Sequence, residues 1–85
     1  MVGVEMPRYQ SDKEVWALKI KSIVKEGDGS AIITPAEDGY GDFRVDATYM
    51  IKHNPQAGGY YVVYKDGYKS FCPAKEFEEG NTLIK

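Results

Sequence analysis

The segment Tyr60-Tyr61-Val62-Val63-Tyr64-Lys65-Asp66-Gly67-Tyr68-Lys69-Ser70-Phe71 constrains this chain more than any other. Its first five residues are aromatic or β-branched, and such side chains pack well on the pleated surface of a strand. Asp66-Gly67 then supplies the two positive-φ positions of a type I′ hairpin turn, and Tyr68 to Cys72 returns as the second strand. With Asp66-Gly67 as a two-residue loop, Tyr64 faces Lys69, Val63 faces Ser70 and Val62 faces Phe71. One side of the hairpin then carries Tyr60, Val62, Tyr64, Lys69 and Phe71. The other carries Tyr61, Val63, Lys65, Tyr68 and Ser70, and its charged and hydroxylated members mark it as the wetter side.

The rest of the chain supplies partners for this hairpin. Pro73 suits the first turn of a helix over 74–79 that Gly80 ends, and Thr82-Leu83-Ile84 reads as a last strand. From Val15 the pattern alternates, with Trp16, Leu18 and Ile20 inward and Ala17, Lys19 and Lys21 outward, a half-buried strand in which Trp16 belongs to the core. Glu26 to Ser30 is a turn, and Ala31 to Thr34 returns until Pro35, which cannot donate into a ladder. Asp46 is placed to cap a helix from Ala47 to His53. Asp38-Gly39-Tyr40 and Phe43 match Asp66-Gly67-Tyr68 and Phe71 at an offset of 28, and Tyr49 matches Phe77 at the same offset. That echo reads either as a ββα pseudo-repeat or as recurrent hairpin chemistry. Residues 1–13, without periodicity, read as a flexible arm, and 14–85 as one α+β domain: a small, mainly antiparallel curved sheet of five or six strands with two short helices. An SH3-like open barrel is one such arrangement.

Counting excludes several function classes. A chain of 85 residues buries about 60–65% of its unfolded surface and has room for one modest core. Cys72 is the one cysteine, which rules out an intrachain disulfide and a cysteine-rich zinc site; it reads as a half-buried small hydrophobe. His53 is the one histidine, at the end of the first helix, where a basic side chain complements the dipole. No phosphate-binding glycine loop has the required spacing, and no pair of carboxylates is singled out. The expectation is no catalytic residue, no metal and no cofactor. No apolar run approaches membrane-spanning length, and the N-terminus lacks the pattern of a signal peptide, so the expected location is the cytoplasm. A net charge of −2 argues against a dedicated duplex-DNA binder.

The aromatic density carries the functional reading. Six of the eleven aromatics lie between residues 60 and 77. Either they fill both faces of a thin sheet, or some tyrosines sit at a surface, where they bury large area at low entropy cost. On the second reading Tyr61, Tyr68, Lys65, Lys69, Tyr40 and His53 form a binding surface, and a homo-oligomer becomes plausible. Lysines interleaved with rings also suit single-stranded nucleic acid or a nucleotide. The acidic residues Glu37, Asp38, Asp42, Asp46, Glu76, Glu78 and Glu79 weigh against that alternative.

The stretch from Lys52 to Phe71, with Val15-Trp16-Ala17-Leu18-Lys19-Ile20, Ile32-Ile33-Thr34-Pro35 and Pro73-Ala74-x-x-Phe77-Glu78-Glu79-Gly80, resembles a group of small uncharacterised proteins of tailed phages and prophages. The similarity covers roughly residues 8–84. It departs from the group's usual pattern at Cys72, commonly serine, and at Asn81, commonly tyrosine. The resemblance implies a phage accessory protein and carries no activity with it. Together with the exposed tyrosines it leads to the expectation of a non-enzymatic protein that binds a host component, such as a defence protein, or a small signalling ligand.

Overall fold

The structure, a computed structural model, describes residues 6–10, 14–80 and 82–84. Among these lie seven strands and two helices: β1 (Arg8–Gln10), β2 (Glu14–Lys25), β3 (Ala31–Pro35), β4 (Phe43–Val45), α1 (Ala47–His53), β5 (Tyr60–Tyr64), β6 (Lys69–Cys72), α2 (Ala74–Gly80) and β7 (Thr82–Ile84). The α+β class and the curved antiparallel sheet are as expected. Arg8–Gln10, expected in a flexible arm, instead pairs with both β2 and β7. The rest of that arm, residues 1–5 and 11–13, lies outside the described residues apart from Met6 and Pro7.

The long strand β2 organises the sheet. Its first half pairs with β5 from Val15↔Tyr64 to Lys19↔Tyr60, and its second half pairs with β3 from Ile20↔Pro35 to Lys25↔Ala31. The register shifts between Ile20 and Ser22, and the extra residue reverses the parity, so that Ile20 and Ile23 both pack on the same core. With β4 beside β3 and β6 beside β5, the sheet curls into an open half-barrel.

β5 is the wall between two cores. Tyr61 and Val63 face the barrel interior with Ile20, Ala31, Ile33, Val45, Tyr49 and Met50, closed by α1. Tyr60 and Val62 face the opposite side with Val15, Ala17 and Phe77, closed by α2, where the Tyr60 and Phe77 rings stack at 4.2 Å. A strand covered on both faces reads as a continuous apolar run, which explains the composition of Tyr60–Tyr64. It also explains why Ala17, expected outward, is fully buried. Trp16, expected in the core, is only half-buried.

The hairpin turn differs from the expected one by a residue. The pairs are Tyr60↔Cys72, Tyr61↔Phe71, Val62↔Ser70 and Val63↔Lys69. Tyr64 N–H donates to the Tyr68 carbonyl at 2.9 Å and Gly67 N–H to the Tyr64 carbonyl at 2.8 Å. The loop is therefore Lys65-Asp66-Gly67, a three-residue connection in which Gly67 alone takes positive φ (92°). Asp66 contributes through its carboxylate, which accepts from the Tyr68 N–H at 2.9 Å. The slip places Tyr68 opposite Tyr64 and moves Phe71 to the face of Tyr61 and Val63.

The 28-residue echo coincides with two ββα units, β3-β4-α1 and β5-β6-α2, whose helices are anchored by the buried Tyr49 and Phe77. Asp46 caps α1 by accepting from the Tyr49 N–H at 2.8 Å, and Asn54 ends it in the left-handed conformation. Gly59 makes room for a neighbour: a Cβ there would collide with the Phe71 ring.

Candidate binding surface

α1 lies along the outer edge of β6, and its side chains do the work of a missing strand. Tyr49 donates its hydroxyl to the Ser70 carbonyl at 2.7 Å, and His53 lies one turn later on the same side. Covering a sheet edge with a helix removes a template for unwanted pairing. It also forces His53 against the hairpin tip.

A chain of rings runs from the core to the surface as a result. Phe43 meets Tyr61 at 4.7 Å, Tyr61 meets Tyr49 at 5.6 Å, and Tyr49 meets His53 at 4.9 Å. His53 meets Tyr68 edge-on at 6.0 Å, and Tyr68 meets Tyr64 at 5.9 Å. The Lys52 ammonium sits 4.9 Å above the Tyr68 ring. Burial and the nearby Lys52 charge lower the His53 pKa below its ordinary value, opposed by the Lys69 backbone. Burial pushes the Tyr49 and Tyr61 hydroxyls upward, with Tyr61 adding to the effect on Tyr49.

At the surface end, a shallow depression of about 290 Å³ lies between Thr48, Lys52, His53, Gly67, Tyr68 and Lys69, floored by Asp46 and Tyr49. The outward side of α1 continues it: Thr48, Ile51 and Lys52 are three and four residues apart and share one face. Ile51 is 84% exposed and Tyr68 is 41% exposed, the two large apolar side chains most open to solvent near this end. Lys65 and Lys69 are exposed beside them.

The structure thus divides the residues expected to form a binding surface. Tyr68, Lys69 and His53 come together, with Lys65 on the adjoining turn. Tyr61 does not belong: it is 7% exposed and part of the barrel core, because α1 covers the face that the side-chain pattern suggested was wet. Tyr40 lies half-buried in the loop before β4, and no hydrogen bond, ion pair or ring contact joins it to the group. Lys52 and Ile51 are the additions. The signal that could have found them is the i, i+4 pair Tyr49/His53, which fixes the inward side of α1 and hence the outward one.

Other chemistry is sparse. Among the described residues no group of three or more His, Cys, Asp or Glu side chains could hold a metal ion, and no helix is long and apolar enough to cross a membrane. Cys72 is half-buried, and burial with the neighbouring Glu76 pushes its thiol up, away from the reactive thiolate.

No protein-family model matches the chain, and no curated protein matches it. Among solved structures the chain is similar to the monomeric form of the phage L decoration protein, determined by NMR in solution. The two are 28% identical and superpose with a TM-score of 0.71, over 95% of this chain and 61% of that one. The chain therefore spans about three fifths of the decoration protein's length. In fold and in sequence it is similar to a phage protein.

Proposed function

We propose that this chain is a non-enzymatic phage accessory protein that attaches to the surface of a phage particle, and that it docks through the end formed by α1 and the β5–β6 turn. The observation that carries the reading is the similarity to a decoration protein along nearly the whole chain, at 28% identity. The geometry supplies the contact surface. Burial removes Tyr60, Tyr61 and Phe77 from any interface, while Ile51 and Tyr68 are exposed and the Lys52 ammonium lies over the Tyr68 ring. An exposed aromatic and an exposed aliphatic on the packed pair β6 and α1 are side chains of the kind an interface centre uses. This reading places the target on the particle rather than in the host, where no arrangement of residues points to a defence protein or a signalling ligand. It also displaces the nucleic-acid alternative, which needed Tyr61 as a stacking platform.

Co-sedimentation with purified particles of the phage or prophage whose genome encodes the chain tests it. Saturable binding is expected, and Ile51→Ala with Tyr68→Ala should weaken it by about 2 kcal/mol or more while the thermal melt stays close to wild type. Absence of binding to particles would contradict the reading.

A further inference from the structure

We propose that Asp38-Gly39, in the loop between β3 and β4, is a site of spontaneous covalent modification. Its aspartate cyclises onto the glycine nitrogen and reopens as isoaspartate, while the other two Asp-Gly pairs of the chain are held unreactive by their turns. The proposal does not depend on where the molecule docks.

Asp-Gly occurs at 28–29, 38–39 and 66–67. In such a pair no Cβ crowds the nitrogen that follows aspartate, and glycine lets the backbone bend into reach of the side chain. The Gly39 nitrogen, giving up its proton, attacks Asp38 Cγ. A C–N bond forms, the Cγ–OH bond breaks and one water leaves. Water then adds to either carbonyl of the cyclic imide. Opening at the side-chain carbonyl restores aspartate. Opening at the main-chain carbonyl leaves the chain running through Cγ, with the α-carboxylate free. One water is lost and one regained, so the sequence of steps needs no oxidant and no cofactor.

In two of the pairs both reacting groups are engaged. The Asp28 carboxylate accepts from the Ser30 N–H at 3.0 Å, the Ser30 hydroxyl at 2.5 Å and the Arg44 guanidinium at 3.0 Å. The Gly29 N–H donates to the Glu26 carbonyl at 3.1 Å. The Ser30 bonds and Arg44 hold the Asp28 carboxyl at about 2, so at neutral pH it is ionised and carries no hydroxyl to expel. Asp66 accepts from the Tyr68 N–H at 2.9 Å, and the Gly67 N–H donates to the Tyr64 carbonyl at 2.8 Å. Each carboxylate is thus committed to the N–H two residues on, and each glycine N–H to a carbonyl that resists its deprotonation.

Asp38-Gly39 has neither restraint. Among the described residues no hydrogen bond or ion pair reaches the Asp38 carboxylate or the Gly39 N–H. A Cβ built on Gly39 would meet nothing within 4 Å, whereas one on Gly29 would stand 3.1 Å from the Ala47 Cβ. From 36 to 42 every residue but the half-buried Tyr40 is exposed, and Gly41 adds a second glycine to the loop. The side chain therefore has the space to swing onto the nitrogen and the water to reopen the imide.

The test is to age the purified protein in warm neutral buffer, both native and in urea, and to map its peptides by mass spectrometry with electron-transfer fragmentation, which separates isoaspartate from aspartate. In the native protein isoaspartate at 38 should form about tenfold or more faster than at 28 or 66, since the latter must first break two hydrogen bonds. Asp38→Glu should abolish the product at that position. In urea the three sites should react at similar rates, because their local sequences are alike and the turns are gone. Absence of isoaspartate at 38 in the native protein, or formation at 28 or 66 as fast as at 38, would overturn the proposal. The native ranking persisting in urea would overturn the protection assigned to the turns.

Discussion

The β2–β3 and β5–β6 turns are built alike and used differently. In the first, Glu26 N–H donates to the Ser30 carbonyl at 2.8 Å and Gly29 N–H to the Glu26 carbonyl at 3.1 Å; in the second, Tyr64, Tyr68 and Gly67 repeat both bonds at 2.9 and 2.8 Å. Each loop is three residues long, with glycine last at φ near 90° and aspartate before it, accepting from the N–H two residues on. The side chains around this common frame diverge. Ser30 is fully buried and donates its hydroxyl to Asp28 at 2.5 Å, while Arg44 ties Asp28 and Glu26 to β4. In the second turn Tyr68 stands where Ser30 does, and among the described residues the flanking lysines form no ion pair. Asp-Gly chemistry sets the backbone of a turn; the residue that follows decides whether that end is sewn into the fold or left exposed.

The largest expected effect separates two tyrosines of the same hairpin. Tyr61→Ala removes a ring packed among Phe43 and Tyr49 and should cost about 3–5 kcal/mol. Tyr68→Ala should cost less than about 1 kcal/mol, as substitutions at exposed positions do. Urea denaturation of both variants checks this, and equal losses would break the distinction between a core ring and a docking ring.

A smaller effect tests the shared frame. Gly67→Val and Gly29→Val each force a β-branched residue to positive φ and should each cost about 1–3 kcal/mol. Gly29→Val should be the worse of the two, since its Cβ would stand 3.1 Å from that of Ala47. Thermal melts that leave either variant at wild-type stability would mean that the turn is not built as described.

The smallest effect is the pH dependence that the sewn turn contributes. The Ser30 hydroxyl and N–H, joined by Arg44, hold the Asp28 carboxyl at about 2, below its ordinary 3.8. A carboxyl depressed in the folded state binds protons less readily there than in the unfolded chain. Its contribution is therefore complete above 3.8 and lost as pH falls toward 2. Asp28→Asn should flatten the acid limb of a stability-versus-pH curve over that window; an unchanged limb would show that the Asp28 contacts do not form in solution.

Much of this architecture is legible in the chain. Asp46 as the cap of a helix from Ala47 to His53 follows from local chemistry, as does the strand character of Tyr60–Tyr64, because caps and β-branched runs act over a few residues. The hairpin register is not legible to the same degree. Asp-Gly satisfies a two-residue type I′ loop and also the last two positions of a three-residue loop, and Lys65 carries nothing that chooses between them. That single residue decides which face of the hairpin takes Tyr68 and which takes Phe71. The burial of Tyr61 depends on α1 closing one side of β5 while α2 closes the other, contacts between segments far apart in sequence. The meeting of His53 and Tyr68, fifteen positions apart, follows only once α1 lies along β6. The docking residues Ile51 and Lys52 become visible from that packing and not before.

Amide hydrogen exchange of the protein alone and on particles is the most direct test of the central claim, that one turn faces a partner while its twin serves the fold. Binding should slow exchange across 47–53 and 65–70 and leave 26–30 unchanged. Protection of 26–30 with no change at 65–70 would contradict the account.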